Sequence, residues 1–494
     1  MSAAKTEDGA SRRTSRLRRH LAISTHALRQ RPVNLAITFA PADPTVPGPT
    51  RLGFAASGAS LEQLRPDPLR MDMALHQLSR MGVSILSRGS FSASAQLAPD
   101  NFEKLFGTRL SRFRTRGDRP AFLFPHDGGP WSPQDDIARL IDDAYIQWPA
   151  TPMTTPPAPI GAFGPDRVYL PNDLANLLNA SGPAVRGMSG AGVRVAMVDT
   201  GFSLDHPYFL NRRFSVLTAP GADGTRDRDG HGTAMCANLF AIAPDIDFIG
   251  ISLGLPDGSV PIDALHGGIL LALAHQPDIL VLSIAYDLRS DITDLEAERL
   301  PGSCVALALQ LQNAVARGVT VVCAGGNGQF AFPAMLPEVI AAGGCVVDAG
   351  GEVRASNIAS GFRSNIYPGR TVPDVCGIAG SLEKQAYLML PCPPGSWLDR
   401  SCAGLPDGTG VNDGWCFTGG TSAAAPQVAA VCALMLQANP KLTARDIRSV
   451  LNRTASDVAF GTSSAMTGGR AATIGNDLAT GFGLVNAGAC LHLI

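Results

Sequence analysis

Apolar residues follow two different rhythms along this chain, and the change between them divides it. Val33 to Phe39 alternates as a strand does, whereas Met71, Ala74, Leu75 and Leu78 recur at helical spacing across residues 70–80. Gly82 ends that helix and releases Val83 to Leu86 as a strand, and Phe91 to Leu97 supplies a second. Pro99 and Asp100 open a short helix whose Phe102, Leu105 and Phe106 face one way before Gly107 stops it. Strand, helix, strand pair, helix and strand, in that order, predict a small α+β domain of split βαβ or ferredoxin-like type over residues 31–150. The next stretch, TPMTTPPAPIGAF, holds four prolines and almost no charge. It reads as a stiff linker or crossing arm, drawn over residues 151–175.

From Gly192 the alternation disappears. Short runs at Val193 to Val198, Ile246 to Ile251, Ile279 to Ile284, Val319 to Ala324 and Val339 to Ala342 are apolar on both faces, as buried parallel strands must be. Apolar helical stretches at 263–275 and 303–316 lie between them, the second ending in Arg317 and Gly318, a basic last turn and a C-cap glycine. Residues 422–437 are small or apolar all round, which predicts a helix buried through the centre and closed by Asn439 and Pro440. Thr443 and Asp446 then form a variant capping box for a helix carrying Ile447, Val450 and Leu451 on one face. The fold class expected for residues 176–494 is α/β, a three-layer domain built on a parallel sheet.

The chain has 494 residues, 45% hydrophobic and 17% charged, with a formal net charge of -2. That balance gives no reason to expect nucleic acid as a partner. Charge is uneven only at the start: Arg12, Arg13, Arg16, Arg18 and Arg19 crowd the first 30 residues, which read as a disordered basic tail. The apolar run of a secretory signal does not follow them, so a cytoplasmic location is expected over secretion. No later stretch approaches eighteen uncharged apolar residues, so a spanning helix is not expected. Ten cysteines in a chain this long are not a disulfide framework. Cys323 and Cys432 sit in apolar runs and suit burial, whereas Cys392, Cys402 and Cys416 lie in a Gly/Pro/Asp-rich insertion, 381–416, where one disulfide fits better than a zinc site.

Candidate chemistry lies at the edges of these elements. Asp199 ends the strand VRVAMV and precedes Thr200 and Gly201, at the carboxyl end of a parallel strand where sites are built. Aspartic proteases share Asp-Thr-Gly but need it twice, and no second copy occurs here. His231, in DRDGHGTAM, opens a helix through Cys236 and Leu239; Ser422, in GGTSAAAP, opens the most apolar helix of the chain. Taken singly, these are also a loop aspartate, a hydrogen-bonded structural histidine and a helix-capping serine. Together they answer a chemical need: a serine hydroxyl requires an imidazole to take its proton and a carboxylate to fix and charge-stabilise that imidazole. Their chain order, Asp, His, Ser, is that of subtilisin.

The chain thereby resembles the subtilases. The resemblance rests on VAMVDTGFSLDHP, DRDGHGTAM, VTVVCAGGNG and FTGGTSAAAPQVAAVCALML, with FPAMLPEVIAAGG and GFGLVNAGA, over roughly residues 190–490. It implies a parallel-sheet subtilisin-like fold and a serine endopeptidase working through an acyl-enzyme. Asp199 matches the orienting acid, His231 the base, Ser422 the nucleophile and Asn327 the side-chain oxyanion donor. Ser283, Ile284 and Ala285, with Gly325 and Gly326, match the segments that bind substrate backbone. Ala234 stands where the family often has a second histidine, and Ala285 and Tyr286 replace a glycine-rich continuation. Residues 31–150 resemble subtilase and sedolisin prodomains, which implies a zymogen whose N-terminal domain docks in cis and is removed by autocatalytic cleavage. The implied partner is a polypeptide substrate, and no cofactor is required. The acidic loop Asp223, Asp227 and Asp229 is a candidate for structural calcium, although its spacing fits no recognised cage. Other readings are a narrow-specificity maturation protease for one partner substrate and a non-catalytic regulatory protein on the same fold. Cys236, near His231, would make activity thiol-sensitive if their side chains met.

Overall fold

The computed structural model describes residues 25–52, 60–113, 122–125, 141–147, 151–152, 167–182, 185–222, 224, 226–254, 264–288, 302–348, 350–381, 387–403 and 409–494. The basic tail before residue 25 and most of the Pro-rich stretch therefore lie outside the described residues. The chain divides into two units, one built mainly from Met1–Pro149 and the other mainly from Ala150 onward.

In the first unit, four antiparallel strands lie in the order Ser84–Arg88, Ser92–Leu97, Val33–Thr38 and Asp143–Ile146. Asp67 caps the helix Pro68–Arg80 by accepting from Arg70 N–H, and Pro68 supplies the preset first turn. That helix and Pro99–Phe106, which stops at Gly107 with φ 65, deliver Met71, Leu75, Leu78, Phe102 and Phe106 to a core shared with Leu35, Ile37 and Leu97. All six residues of Val33–Thr38 are buried despite their alternation. The polar positions survive burial because they are bonded: Asn34 Oδ1, for example, accepts from Gln96 Nε2 at 2.7 Å.

The second unit is organised by an eight-stranded, largely parallel sheet. Its spatial order is Phe214–Thr218, Asp247–Ser252, Arg194–Asp199, Ile279–Leu282, Thr320–Ala324, Ile340–Val347 and Val353–Ala355, with Val375–Ile378 also paired to Ile340–Val347. Only Val353–Ala355 runs antiparallel to its neighbour. Arg194–Asp199 is earliest in sequence yet sits between Asp247–Ser252 and Ile279–Leu282, so connections leave it in both directions. Such a reversal opens a crevice at the carboxyl ends of the strands. The apolar run expected as one strand over 279–284 divides at Ser283. Ile279–Leu282 stays in the parallel sheet, while Ile284–Asp287 leaves it to pair antiparallel with Ala331–Phe332 and with Thr151–Pro152.

Helix Thr421–Ala438 is the one helix among the described residues long and apolar enough to cross a bilayer, and 83% of that window is buried inside the fold. It is a core helix. The predicted capping box closes reciprocally: Thr443 N–H donates to Asp446 Oδ2 at 3.0 Å and Asp446 N–H to Thr443 Oγ1 at 3.2 Å.

One buried ion cluster ties loop to helix. Arg370 donates to both oxygens of Asp374, at 2.6 and 2.9 Å, and Arg448 Nε reaches the same carboxylate at 3.0 Å. Burial alone would raise the Asp374 pKa, but the two guanidinium groups outweigh it and hold the carboxyl below its usual range. Asp374→Asn leaves both cations underpaired and should lower the unfolding free energy by about 3–5 kcal/mol in chemical denaturation. The depressed pKa also sets a sign. The stabilisation is complete above about pH 4 and is lost as pH falls through the lower folded value, so the variant should lack that acid-side loss.

Candidate active site

Three of the predicted residues occupy ends of elements at the crevice. Asp199 is the last residue of Arg194–Asp199, His231 the first of helix His231–Ile242, and Ser422 the second of helix Thr421–Ala438. Close packing explains the glycines before them. Gly230 has φ 98, and a Cβ there would lie 2.7 Å from Ser396 Oγ. A Cβ on Gly419 would collide with the Ala379 carbonyl.

Asp199 and His231 are fully buried, and Asp199 Oδ1 lies 2.6 Å from His231 Nδ1. Thr200 N–H donates to the same oxygen at 2.7 Å. Burial by itself would lower the His231 pKa. The charge and hydrogen bond of Asp199, helped by Asp229 and Asp227, outweigh burial and raise it above the ordinary value. His231 Nε2 has no hydrogen-bond partner, so the imidazole edge away from Asp199 is uncommitted.

The Ser422 hydroxyl donates to the Ser283 carbonyl at 3.1 Å, and Ser283 Oγ donates back to the Ser422 carbonyl at 2.9 Å. The second bond has a cause in sequence. Pro426 lies four residues after Ser422 and has no N–H, so it cannot make the helical bond to that carbonyl. Ser283 supplies the missing donor. On the other side, Asn327 Oδ1 accepts from Thr421 N–H at 2.9 Å and Thr421 Oγ1 at 3.0 Å. Those bonds fix the carboxamide and turn Nδ2 away from Thr421. Gly325 N–H donates to Ala342 O at 2.8 Å and Gly326 N–H to Thr421 Oγ1 at 3.1 Å, so both glycines are anchored by their backbone amides. Ile284 and Ala285 lie on the strand that leaves the sheet, with Ile284 opposite Pro152 and Ala285 opposite Thr151.

Sequence reasoning missed a layer beneath these groups. Asp227 is buried and accepts four hydrogen bonds: from Thr200 Oγ1 (3.0 Å), Gly230 N–H (2.9 Å), Thr233 N–H (3.0 Å) and Thr233 Oγ1 (2.6 Å). Thr200 Oγ1 accepts in turn from Gly232 N–H at 2.9 Å. One carboxylate thus fixes the turn after Asp199 to the first turn of the His231 helix. Burial, with the Asp229 charge next, pushes the Asp227 carboxyl up to about 6. The signal was its position four residues before His231 in an otherwise polar loop. Asp229 accepts from His231 N–H at 3.2 Å. Asp223 lies outside the described residues, and among the described residues no group of three or more His, Cys, Asp or Glu side chains is arranged to hold a metal ion. Cys236 Sγ points at Thr233 O, 3.2 Å away, and burial raises its thiol well above the usual range. The insertion contributes the strands Tyr387–Pro391 and Trp415–Thr418 and the helix Trp397–Ala403. The first two amides of that helix donate to Arg228 O and Asp229 O, both at 2.9 Å, just before His231.

Comparison with known proteins agrees with this layout. The Peptidase S8 model of the subtilase family matches residues 190–481. M-protease of Shouchella clausii (strain KSM-K16) is 29% identical over 316 residues, 62% of this chain and 65% of M-protease, so the match spans less than two thirds of that relative. Alkaline elastase YaB of Bacillus sp. (strain YaB) is 27% identical over 72% of this chain and 77% of its own length. Subtilisin Savinase of Lederbergia lenta is 27% identical over 55% of this chain and 87% of its own. Among solved structures, fervidolysin from Fervidobacterium pennivorans, a keratinolytic enzyme related to subtilisin, shares the fold with a TM-score of 0.56 at 17% identity, covering 94% of this chain and 61% of that one. The expected cytoplasmic location is corrected by this kinship, because similarity to extracellular subtilisin-family proteases argues against it. That expectation rested on the missing apolar run after Arg19, and a missing run carries no physical information about compartment. The chain belongs to the subtilase family.

Proposed function

We propose that this chain hydrolyses peptide bonds at Ser422, with His231 as general base, Asp199 as its orienting acid, and Asn327 Nδ2 and the Ser422 N–H as oxyanion donors. The buried 2.6 Å contact between Asp199 and His231 carries the reading, because it leaves Nε2 as the basic edge of the imidazole. In the cycle, the Ser422 hydroxyl leaves the Ser283 carbonyl, gives its proton to His231 Nε2 and attacks the substrate carbonyl. Catalytic hydrogen bonds commonly tighten only when substrate is bound. His231 then protonates the leaving amine, and water hydrolyses the acyl-enzyme by the same steps in reverse order. Asn327 is held ready for the developing oxyanion by its bonds to Thr421, so little reorganisation is needed at the moment of reaction.

Substrate would add as an extended strand to Ser283, Ile284 and Ala285, with Gly325 and Gly326 on the opposite wall. Support comes from Thr151–Pro152, which pairs antiparallel with Ile284 and Ala285 as a substrate backbone would. We accordingly read residues 31–150 as a ferredoxin-like prodomain that docks in cis, with the segment after it covering the substrate strand until cleavage between residues 150 and 175 releases it. A parallel sheet with long-range pairing folds slowly, which gives a docked template a physical purpose.

A serine-directed fluorophosphonate should label Ser422. Ser422→Ala should abolish both labelling and hydrolysis, and intact mass should find the shortened product in the wild type alone; full hydrolysis by the variant would refute the assignment. Asn327→Ala should reduce kcat by about 10²–10³, the usual worth of one oxyanion donor, with little change in KM. The pH profile offers a separate check. The base must be neutral and its pKa is raised, so kcat/KM should fall with acid along a limb centred above 6.5. Protonation of Asp227 near 6 should then steepen the fall beyond a single proton. Asp199→Asn should move the limb to lower pH and cost about 10⁴ in kcat.

A further inference from the structure

The insertion before Ser422 gathers sulfur as well as donating two helix amides to the carbonyls of Arg228 and Asp229. Its strands pair antiparallel with Leu390 opposite Cys416, and the ribbon extends one step further, where Cys392 N–H donates to Gly414 O at 2.8 Å. Cys392 and Cys416 are therefore diagonal neighbours across the ribbon. Helix Trp397–Ala403 brings in Cys402, whose Sγ lies 3.7 Å from Phe417 O, while Cys416 Sγ lies 3.6 Å from Leu390 O. Cys402 Sγ therefore lies against the strand residue that follows Cys416, and all three cysteines are buried. No other function described above uses them.

We propose that Cys402 and Cys416 are a disulfide-forming pair that staples the insertion helix to the strand leading into the Ser422 motif, with a low-molecular-weight disulfide as oxidant. The choice of partner follows from backbone geometry. Diagonal residues on an antiparallel ribbon have Cα atoms about 7–8 Å apart, beyond the roughly 4.4–6.8 Å that a disulfide spans, which disfavours Cys392 with Cys416. A cysteine arriving from a helix is under no such constraint. In the first step the Cys416 thiolate attacks the small disulfide, forming a mixed disulfide and releasing one thiol. The Cys402 thiolate then attacks the Cys416 sulfur, forming the protein disulfide and releasing the second thiol. Two protein thiols are oxidised, one small disulfide is reduced to two thiols, and the protons pass through solvent. Burial holds the Cys416 thiol well above its usual range, so its thiolate is scarce once the fold is complete. The bond therefore forms in an oxidising medium while the insertion is still folding. Once made, it fixes one end of a helix whose other end holds the carbonyls of Arg228 and Asp229.

The test uses the full chain carrying Ser422→Ala, to avoid autolysis, refolded in a mixture of oxidised and reduced glutathione. Alkylation in denaturant without reductant, followed by peptide mass mapping, should find Cys402 joined to Cys416 and every other cysteine alkylated, Cys392 included. A reductant should lower the midpoint of thermal unfolding by about 5 °C. Cys402→Ala and Cys416→Ala should lose that reductant sensitivity, whereas Cys392→Ala should keep it; if one variant does not fold, the mass map of the parent still decides. Alkylation of all ten cysteines, or a bond between Cys392 and Cys416, would overturn the proposal. So would a zinc ion in the native mass that a chelator removes, which would assign the thiols to ligation instead.

Discussion

The carboxamide of Gln427 is the contact on which the rest of the second unit depends. Its Nε2 donates to Asn238 Oδ1 at 3.0 Å and to Ile378 O at 2.9 Å, and its Oε1 accepts from Ile378 N–H at 2.7 Å. Asn238 lies on the His231 helix, Gln427 on the Ser422 helix and Ile378 on a strand of the central sheet. One fully buried side chain therefore joins the three elements whose relative positions set the distance between His231 and Ser422. A buried polar network of this kind is costly if any member is left unpaired, so it admits one arrangement of the two helices and penalises small slips. Apolar packing around it supplies stability, but apolar contacts are non-directional and would tolerate sliding.

The electrostatics of the site follow from that fixed geometry. Asp199, Asp227 and Asp229 all act on His231 from within the protein, and none could be placed there without the hydrogen bonds that hold it. Asp199 contacts the ring, whereas Asp227 contacts the backbone of the turns on either side of it. The first sets basicity and tautomer. The second sets where the ring stands. Around Ser422 the same division recurs, with Thr421 fixing the Asn327 carboxamide and Ser283 taking up the carbonyl that Pro426 leaves without a helical partner.

The departures from the family pattern fit this picture. Ala234 is fully buried, where a histidine would need room and a partner. Tyr286 and Ala285 sit, both buried, on a strand that has left the parallel sheet for a local three-stranded pairing. The change of direction at Ser283 is what lets Ile284–Asp287 pair with Ala331–Phe332 on one side and Thr151–Pro152 on the other.

The sequence by itself determined what is written locally. Asp199 after an apolar run, His231 and Ser422 at helix starts behind glycines, and the capping box at Thr443 all depend on neighbours within a few residues, where backbone preference and hydrophobic period act directly. Alternation in the first 150 residues likewise indicated its strands and helices, although it did not reveal that both faces of Val33–Thr38 are buried. Tertiary structure decided what depends on residues far apart in the chain. The break at Ser283 needed partners near residues 151 and 331 to draw the strand out of the sheet. The roles of Asp227, Gln427 and Pro426, and the approach of Cys402 to the strand that carries Cys416, required helices and strands to be packed before their atoms could meet. Short-range preference carries no record of such distances, because a hydrogen bond across more than a hundred residues exists only after the chain entropy opposing it has been overcome by the whole fold.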